Sequence, residues 1–222
     1  MKIIGHRGAR GLAPENTVVS LQKALQHGVD EVEFDVRVTK DNIAVLHHDP
    51  ALSDQAGNHL LIKDHPYIEL KQHKPDLATL DEAFIAIGCK IPMLIELKPN
   101  EPTEPVVAII KTQLAKKCKP SHILLGSFSQ QTLMELHEAL PEIQKVVIER
   151  WSGIRAVRRA KAVGTKRINM SNKWLWWGFI RSMKRGGWEL YPYTLNTTGK
   201  ADRWAKYGIV GVITDFPDRF EK

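Results

Sequence analysis

The sequence is short of the features that mark several common protein classes. Its 222 residues include two cysteines, Cys89 and Cys118, with no CxxC or metal-ligand spacing. That excludes a thiolate metal site; no disulfide framework is expected, and both are read as buried free thiols. No apolar run approaches the ~18 residues needed to cross a bilayer. The N-terminus, "MKIIGHRGAR", has too little apolar content for a secretory leader, so a cytoplasmic location is expected. No G-x-G-x-x-G follows the first apolar run, which removes the dinucleotide-binding fingerprint. No Pro/Gly/Ser-rich linker or low-complexity tract divides the chain, and one domain covering residues 1–222 is expected.

What is present is ordinary in bulk and patterned in detail. The composition is 43% hydrophobic and 26% charged, enough to bury a core without staples. The net charge of +7 suits an anionic partner: nucleic acid, an acidic membrane or a small phosphorylated molecule. The basic residues concentrate in the last third, in "RAVRRAKAVGTKR", "KRINMSNKW" and "IRSMKRGG". There they fall on predicted helices and helix ends, where a solvated face accounts for them; a nucleic-acid partner is not expected.

Eight short apolar runs have strand character: "KIIGH", "EVEFDV", "PMLIELK", "HILLGSF", "KVVIER", "RINMS", "ELYPYTL" and "GVITD". Helical segments separate most of them. "PENTVVSLQKALQHG" has Pro14 at its start and Gly28 at its stop, and Thr79 stands three residues before Glu82 in a capping-box pattern. Eight strands alternating with helices in this length predict an α/β fold, a closed (β/α)₈ TIM barrel. The exception follows the second strand, where "RVTKDNIAVLHHD" contains turn residues and no helix. Val36 to His48 reads as a β-hairpin excursion. With its turn centred between Lys40 and Asp41, His48 falls opposite Glu33. The chain from there to "KQHKPD" reads as irregular, the whole insertion occupying about 37–78.

Function in such a barrel is built at the carboxyl ends of the strands. Those ends carry His6 and Arg7, then Glu33 and Asp35, then Glu96 and Lys98. Period-two alternation sends Glu33 with Asp35, and Glu96 with Lys98, to one face. Three converging carboxylates repel one another unless they are neutralised. Pairing with Arg7 and Lys98 as internal salt bridges is one solution; a hard divalent cation, Mg²⁺ or Ca²⁺, is the preferred one, because both take oxygen ligands. His6 and His48 are then the proton-transfer pair, with His47 facing the other way. Positive groups beside a cation need an anion between them, and a phosphodiester satisfies Arg7, Lys98 and the cation together.

"GHRGARGLAPENT", "EFDVRVTKDNIAVLHHD", "IELK", "YPYTLN" and "GVITDFPD" resemble the glycerophosphodiester phosphodiesterase family, in the family's order, from Lys2 to about Asp218. The resemblance implies a (β/α)₈ barrel with a hairpin inserted after the second strand. It implies Glu33, Asp35 and Glu96 as ligands of one divalent cation, His6 and His48 as general acid and base, and Arg7 and Lys98 on the phosphate. The implied substrate is a small glycerophosphodiester, whose glycerol 2-hydroxyl attacks phosphorus and expels the alcohol. Water then opens the cyclic phosphate to glycerol 3-phosphate. A lysophospholipase D-like member acting on lysophospholipids is the alternative. The chain departs from the family at Tyr193, where tryptophan is usual before the threonine; an aromatic substrate wall with an added hydroxyl is expected. Asn16 is expected to order the first loop, and Glu15 to cap the helix or support the site. "WLWWGFIRSMKRGG" has the composition of a membrane-docking segment, but core packing of Trp174, Trp176, Trp177 and Phe179 is the favoured expectation.

Overall fold

The computed structural model describes residues 1–53 and 59–220. In chain order, β1 (Lys2–Gly5) leads through α1 (Val18–Gln26) to β2 (Glu31–Val38), which folds back into β3 (Ala44–Leu46). The short strands β4 (Ala51–Ser53) and β5 (His59–Leu61) come next, then α2 (Tyr67–His73) and α3 (Leu80–Ile87). Regular alternation resumes with β6 (Met93–Leu97), α4 (Glu104–Ala115), β7 (Ile123–Ser127), α5 (Gln130–Ala139), β8 (Gln144–Glu149) and α6 (Gly153–Ala162). It ends with β9 (Arg167–Ser171), α7 (Trp177–Arg185), β10 (Glu189–Tyr193), α8 (Thr198–Ala205) and β11 (Gly211–Thr214). Eight of these strands are parallel neighbours, and the ring closes where β1 pairs with both β11, at Ile4↔Ile213, and β2, at Ile4↔Glu31. The (β/α)₈ barrel and all eight of its expected strands are present.

Alternation along each strand divides the core into two. Val32, Phe34 and Val36 of β2 and Met93, Ile95 and Leu97 of β6 point outward and pack with Leu21, Leu80 and Phe84 from the helices. Leu94, Leu124, Val146 and Ile148 meet on the barrel's inside, as do Ile4, Tyr191 and Ile213. The intervening residues of β2, Glu31, Glu33 and Asp35, are buried as well. Four helices, α1, α3, α5 and α6, start on a hydroxyl cap, from Thr17, Thr79, Ser129 and Ser152. The Thr79 side chain accepts from Glu82 N–H while Glu82 reaches back to the Thr79 N–H, the expected capping box. Such a cap is worth ~1 kcal/mol.

The excursion is a hairpin, with Val36↔Leu46 and Val38↔Ala44 paired. Its loop is three residues, Lys40 to Asn42, closed by Thr39 N–H to the Ile43 carbonyl at 3.0 Å, with Asn42 left-handed at φ 60°. A centred two-residue turn would place His48 opposite Glu33. The extra residue shifts the register by one, and it is His47 whose N–H bonds the Asp35 carbonyl, at 3.1 Å. The chain that follows is not irregular throughout: it holds the β4–β5 pair and α2, whose apolar residues Leu52, Ile62, Leu70 and Leu77 form a small core with Val45. Residues 54–58 of the expected irregular stretch lie outside the described residues.

Two further expectations fail. Cys89 and Cys118 are joined in a disulfide, because the turns that end α3 and α4 bring their Cα atoms to 5.7 Å. Closing a loop of 29 residues contributes about 3.5 kcal/mol in the chain-entropy treatment. The tryptophans of the α7 segment are not core either. The helix begins only at Trp177, so Leu175, Ile180 and Met183 take the buried positions and Phe179 is half-buried, while Trp174, Trp176 and Trp177 face solvent.

Candidate active site

The carboxyl ends of the strands surround a pocket of about 300 Å³. Every residue expected to be catalytic, to hold the cation or phosphate, or to wall the substrate lines it: His6, Arg7, Glu33, Asp35, His48, Glu96, Lys98 and Tyr193. The larger groove of about 1040 Å³ between α4 and α5 carries none of them.

The floor is set by β2 and β6, whose register places Asp35 beside Glu96. Carboxylate oxygens of Glu33, Asp35 and Glu96 lie within 4.8 Å of one another, and all three residues are buried. Lys98, two residues on from Glu96, reaches back to bond both Glu96 and Asp35. Arg7 lies 3.1 Å from Asp35 through Nε, without hydrogen-bond alignment, and holds Glu15 at 2.6 Å through its terminal nitrogen. The internal ion pairs weighed as an alternative therefore exist, yet they do not balance the floor: three carboxylates face two cations, and Glu15 claims part of Arg7. Burial first, then the charges of Asp35 and Glu96, push the Glu33 carboxyl well above its usual range. Burial would raise Asp35 too, but Lys98 and Arg7 overcome it and hold that carboxyl low. Three buried, oxygen-only donors with surplus negative charge are the donor set that Mg²⁺ or Ca²⁺ takes.

The turn after β1 is shaped around this floor. Arg7 and Gly8 are both left-handed, at φ 51° and 84°. The Arg7 N–H is thereby aimed at Glu33 Oε2, 2.9 Å away, and the Gly8 N–H at the Glu33 carbonyl. A Cβ on Gly8 would come within 2.5 Å of Ser20, so a side chain there meets α1. Asn16 clamps Asp35 twice, its side chain donating to Oδ2 at 2.9 Å and accepting from the Asp35 N–H at 3.0 Å. It thus orders more than its own loop. Glu15 supports the site, bonding Arg7 and Arg10.

Each candidate histidine has a carboxylate at its back. His6 Nδ1 lies 2.6 Å from Asp215 Oδ1, and Asn196 donates to the other oxygen of Asp215 at 2.8 Å. His48 Nδ1 lies 2.7 Å from Asp49 Oδ1. Occupying Nδ1 leaves Nε2 of both rings for proton exchange. Burial, followed by the Lys98 charge, lowers the His48 pKa and favours the neutral ring. His47 turns away to the Asp49 carbonyl at 2.9 Å and lines no part of the pocket. Sequence reasoning missed Asp215, Asn196 and Asp49 as partners. The signal for the first was a carboxylate at the carboxyl end of the last strand, in "GVITD".

Tyr193 forms a wall, edge-on to Phe128 at 6.3 Å, and its hydroxyl donates to the Glu149 carbonyl at 3.0 Å. Past Phe128 and Arg150 the pocket runs on into a groove of about 570 Å³, which shares His48 and Lys98 with it and adds Arg37, Trp151 and Arg155.

A sequence model of the glycerophosphoryl diester phosphodiesterase family matches residues 6–219. The glycerophosphodiester phosphodiesterase of Bacillus subtilis is 28% identical over 99% of this chain and 85% of its own length. A phosphodiesterase of Oleispira antarctica, solved in complex with the product sn-glycerol-3-phosphate, superposes with a TM-score of 0.86 at 27% identity, covering 99% of this chain and 94% of that one. Lysophospholipase D GDPD1 of Homo sapiens is 31% identical over 60% of this chain and 47% of its own. With nearly its whole length matched, the chain belongs to the glycerophosphoryl diester phosphodiesterase family.

Proposed function

We propose that the protein hydrolyses glycerophosphodiesters to sn-glycerol 3-phosphate and an alcohol, within one domain of residues 1–222 whose insertion is about 37–78. One observation carries this reading: two carboxylate-backed imidazoles, three buried carboxylates and the cationic side chains of Arg7 and Lys98 on the same floor, with Arg10 and Arg150 nearby, line a single pocket. Glu33, Asp35 and Glu96 would hold one divalent cation, Mg²⁺ or Ca²⁺, whose charge would polarise a phosphoryl oxygen. Arg7 and Lys98 offset charge on the phosphate oxygens from the same floor. One histidine takes the proton of the glycerol 2-hydroxyl as that oxygen attacks phosphorus. The other protonates the alcohol oxygen as its bond to phosphorus breaks. The cyclic phosphate so formed is opened by water with the two roles exchanged. Asp215 and Asp49 fix the ring orientations and stabilise each imidazolium as it forms. Tyr193 walls the glycerol side, and the groove beyond Phe128 receives the leaving alcohol.

The reading is tested by glycerol 3-phosphate release from several glycerophosphodiesters, before and after chelation. Activity should vanish with chelator and return with Mg²⁺ or Ca²⁺; unchanged turnover after exhaustive chelation rules out the metal role. His6→Ala and His48→Ala should each lose on the order of 10²-fold or more in kcat. Near-normal rates in both would remove the acid–base assignment.

A second reading, a lysophospholipase D-like activity on lysophospholipids, is favoured by the exposed Trp174, Trp176 and Trp177. Faster turnover of a lysophospholipid than of glycerophosphocholine would select it. No helix among the described residues is long and apolar enough to cross a membrane. The Cys89–Cys118 bridge suits an oxidising compartment better than the cytoplasm expected from the sequence. Thiol titration of the protein from its native compartment separates the two.

A further inference from the structure

Two neighbouring loops at the barrel mouth carry a surface of which the proposed diester hydrolysis uses only Trp151, at the edge of the groove. Trp151 and Ile154 follow β8, and Trp174, Trp176 and Trp177 follow β9; the indoles are 55–60% exposed and Ile154 is 87% exposed. β8 and β9 are paired, and the Phe179 ring covers Gly153 so closely that a Cβ there would lie 2.4 Å from it. The two loops therefore form one rim, beside the groove that leaves the catalytic pocket, to whose lining Trp151 belongs. Four half-exposed indoles and an isoleucine leave on the order of a few hundred Å² of apolar surface in water, the size of the largest patch on a typical monomer, which is often functional.

The rings are held in place. Trp176 and Trp177 meet edge to face at 5.9 Å, and Trp176 lies over Gly178, whose missing side chain makes room for it. Arg181 sits 5.3 Å from the Trp177 ring and 5.1 Å from Tyr207. A fixed, outward-facing indole needs no ordering before it binds.

Charge identifies the partner. Between Glu149 and Glu189 the chain contains no aspartate or glutamate, while Arg150 lies 5.6 Å from the Trp151 ring, Arg181 5.3 Å from the Trp177 ring, and Lys173 is exposed next to Trp174. A second copy of the chain would bring the same positive charge to the contact and be repelled. A nucleic acid would match the charge but offer nothing to Ile154. A surface with anionic headgroups over an apolar layer matches both components, since indoles seat at the headgroup level and lysine and arginine are drawn to acidic lipid. We propose that this rim docks on an anionic lipid bilayer and turns the mouth of the barrel toward the headgroup layer.

The test is co-sedimentation of the full chain with phosphatidylcholine vesicles, with and without phosphatidylglycerol, at low and high salt. Trp174→Ala/Trp176→Ala and Lys173→Glu are compared with the unaltered protein. Binding should be on the order of tenfold or more tighter with phosphatidylglycerol, weaken with salt, and fall on the order of tenfold in either variant. Unchanged thermal unfolding and unchanged turnover of a soluble glycerophosphodiester show that the variants are folded. The proposal is overturned if the protein stays in the supernatant with acidic vesicles at low salt, or if both variants bind like the parent. It is overturned equally if sedimentation equilibrium shows a dimer that the tryptophan variant abolishes, for then a second copy covers the rim. The vesicle readout does not involve turnover, so it stands or falls apart from the diesterase reading.

Discussion

The barrel buries carboxylates at two levels, and β2 supplies both. At the lower level Glu31 meets Arg167 of β9 through two hydrogen bonds, 2.7 and 2.5 Å, with the guanidinium 4.1 Å from the Tyr191 ring centre. One anion faces one cation, and every carboxylate oxygen has a partner. Two residues along the same strand face, Glu33 belongs to a set of three carboxylates served by Lys98 and a shared Arg7. A buried pair satisfied one to one is a structural element; a buried cluster left in excess stores charge that something else must answer. The proposed chemistry draws on the unbalanced level.

The largest effect expected from breaking this contrast is at the lower level. Glu31→Leu strands Arg167 without a counter-charge and should cost about 3–5 kcal/mol in urea unfolding. Adding Arg167→Met to it should recover most of that loss. Comparable stability of the single and double variants would show that the pair is not what fixes this layer. Next in size, reducing the Cys89–Cys118 bridge should lower stability by about 3.5 kcal/mol, with the barrel and its activity kept. No change in the unfolding midpoint would mean that the bridge does not form.

At the upper level the same kind of substitution should act in reverse. Glu33→Gln removes one member of a like-charged buried set, so stability should stay within about 1 kcal/mol of the parent or rise. Turnover should nevertheless drop on the order of 10²-fold, about 2.7 kcal/mol in the barrier. A loss of stability as large as that of Glu31→Leu would erase the distinction between the two levels.

A smaller effect is set by acid. Glu149 is buried, which would raise its pKa, but Arg155 and the N–H groups of Arg150 to Ser152 outweigh burial and hold it at about 2. A carboxyl lowered on folding stabilises above its unfolded pKa of ~4.3 and loses that contribution as pH falls toward the folded value. Because Arg155 is half exposed, solvent screening limits the contribution to about 1–2 kcal/mol. Glu149→Gln should remove that much at neutral pH and flatten the stability profile between pH ~4 and ~2. An unaltered acid limb would assign acid unfolding to other carboxylates.

Much of the scaffold was legible because period-two alternation and strand-end polarity are local signals. Glu33 and Asp35, or Glu96 and Lys98, declare a shared face from adjacent positions in the sequence. The parts that stayed hidden depend on distance or on a single residue's backbone. His6 and Asp215 are 209 positions apart, and only the closure of β1 against β11 brings them together. The bridging of Cys89 to Cys118 depends on how α3 and α4 end. One left-handed residue, Asn42, moved the hairpin register by a position. Bulky residues in a barrel helix point to core packing, but α7 begins only at Trp177, and Trp174, Trp176 and Trp177 face outward.

Glu33, Asp35 and Glu96, with their excess charge, form the proposed cation site. Thermal unfolding of the parent and of Glu96→Gln across a titration of Mg²⁺ or Ca²⁺ addresses it without reference to turnover. Binding to the folded state alone stabilises by RT ln(1 + [L]/Kd), about 2.7 kcal/mol at a hundredfold excess over Kd. The parent should show that rise and the variant little or none; parallel curves, or no rise in either, would contradict the account.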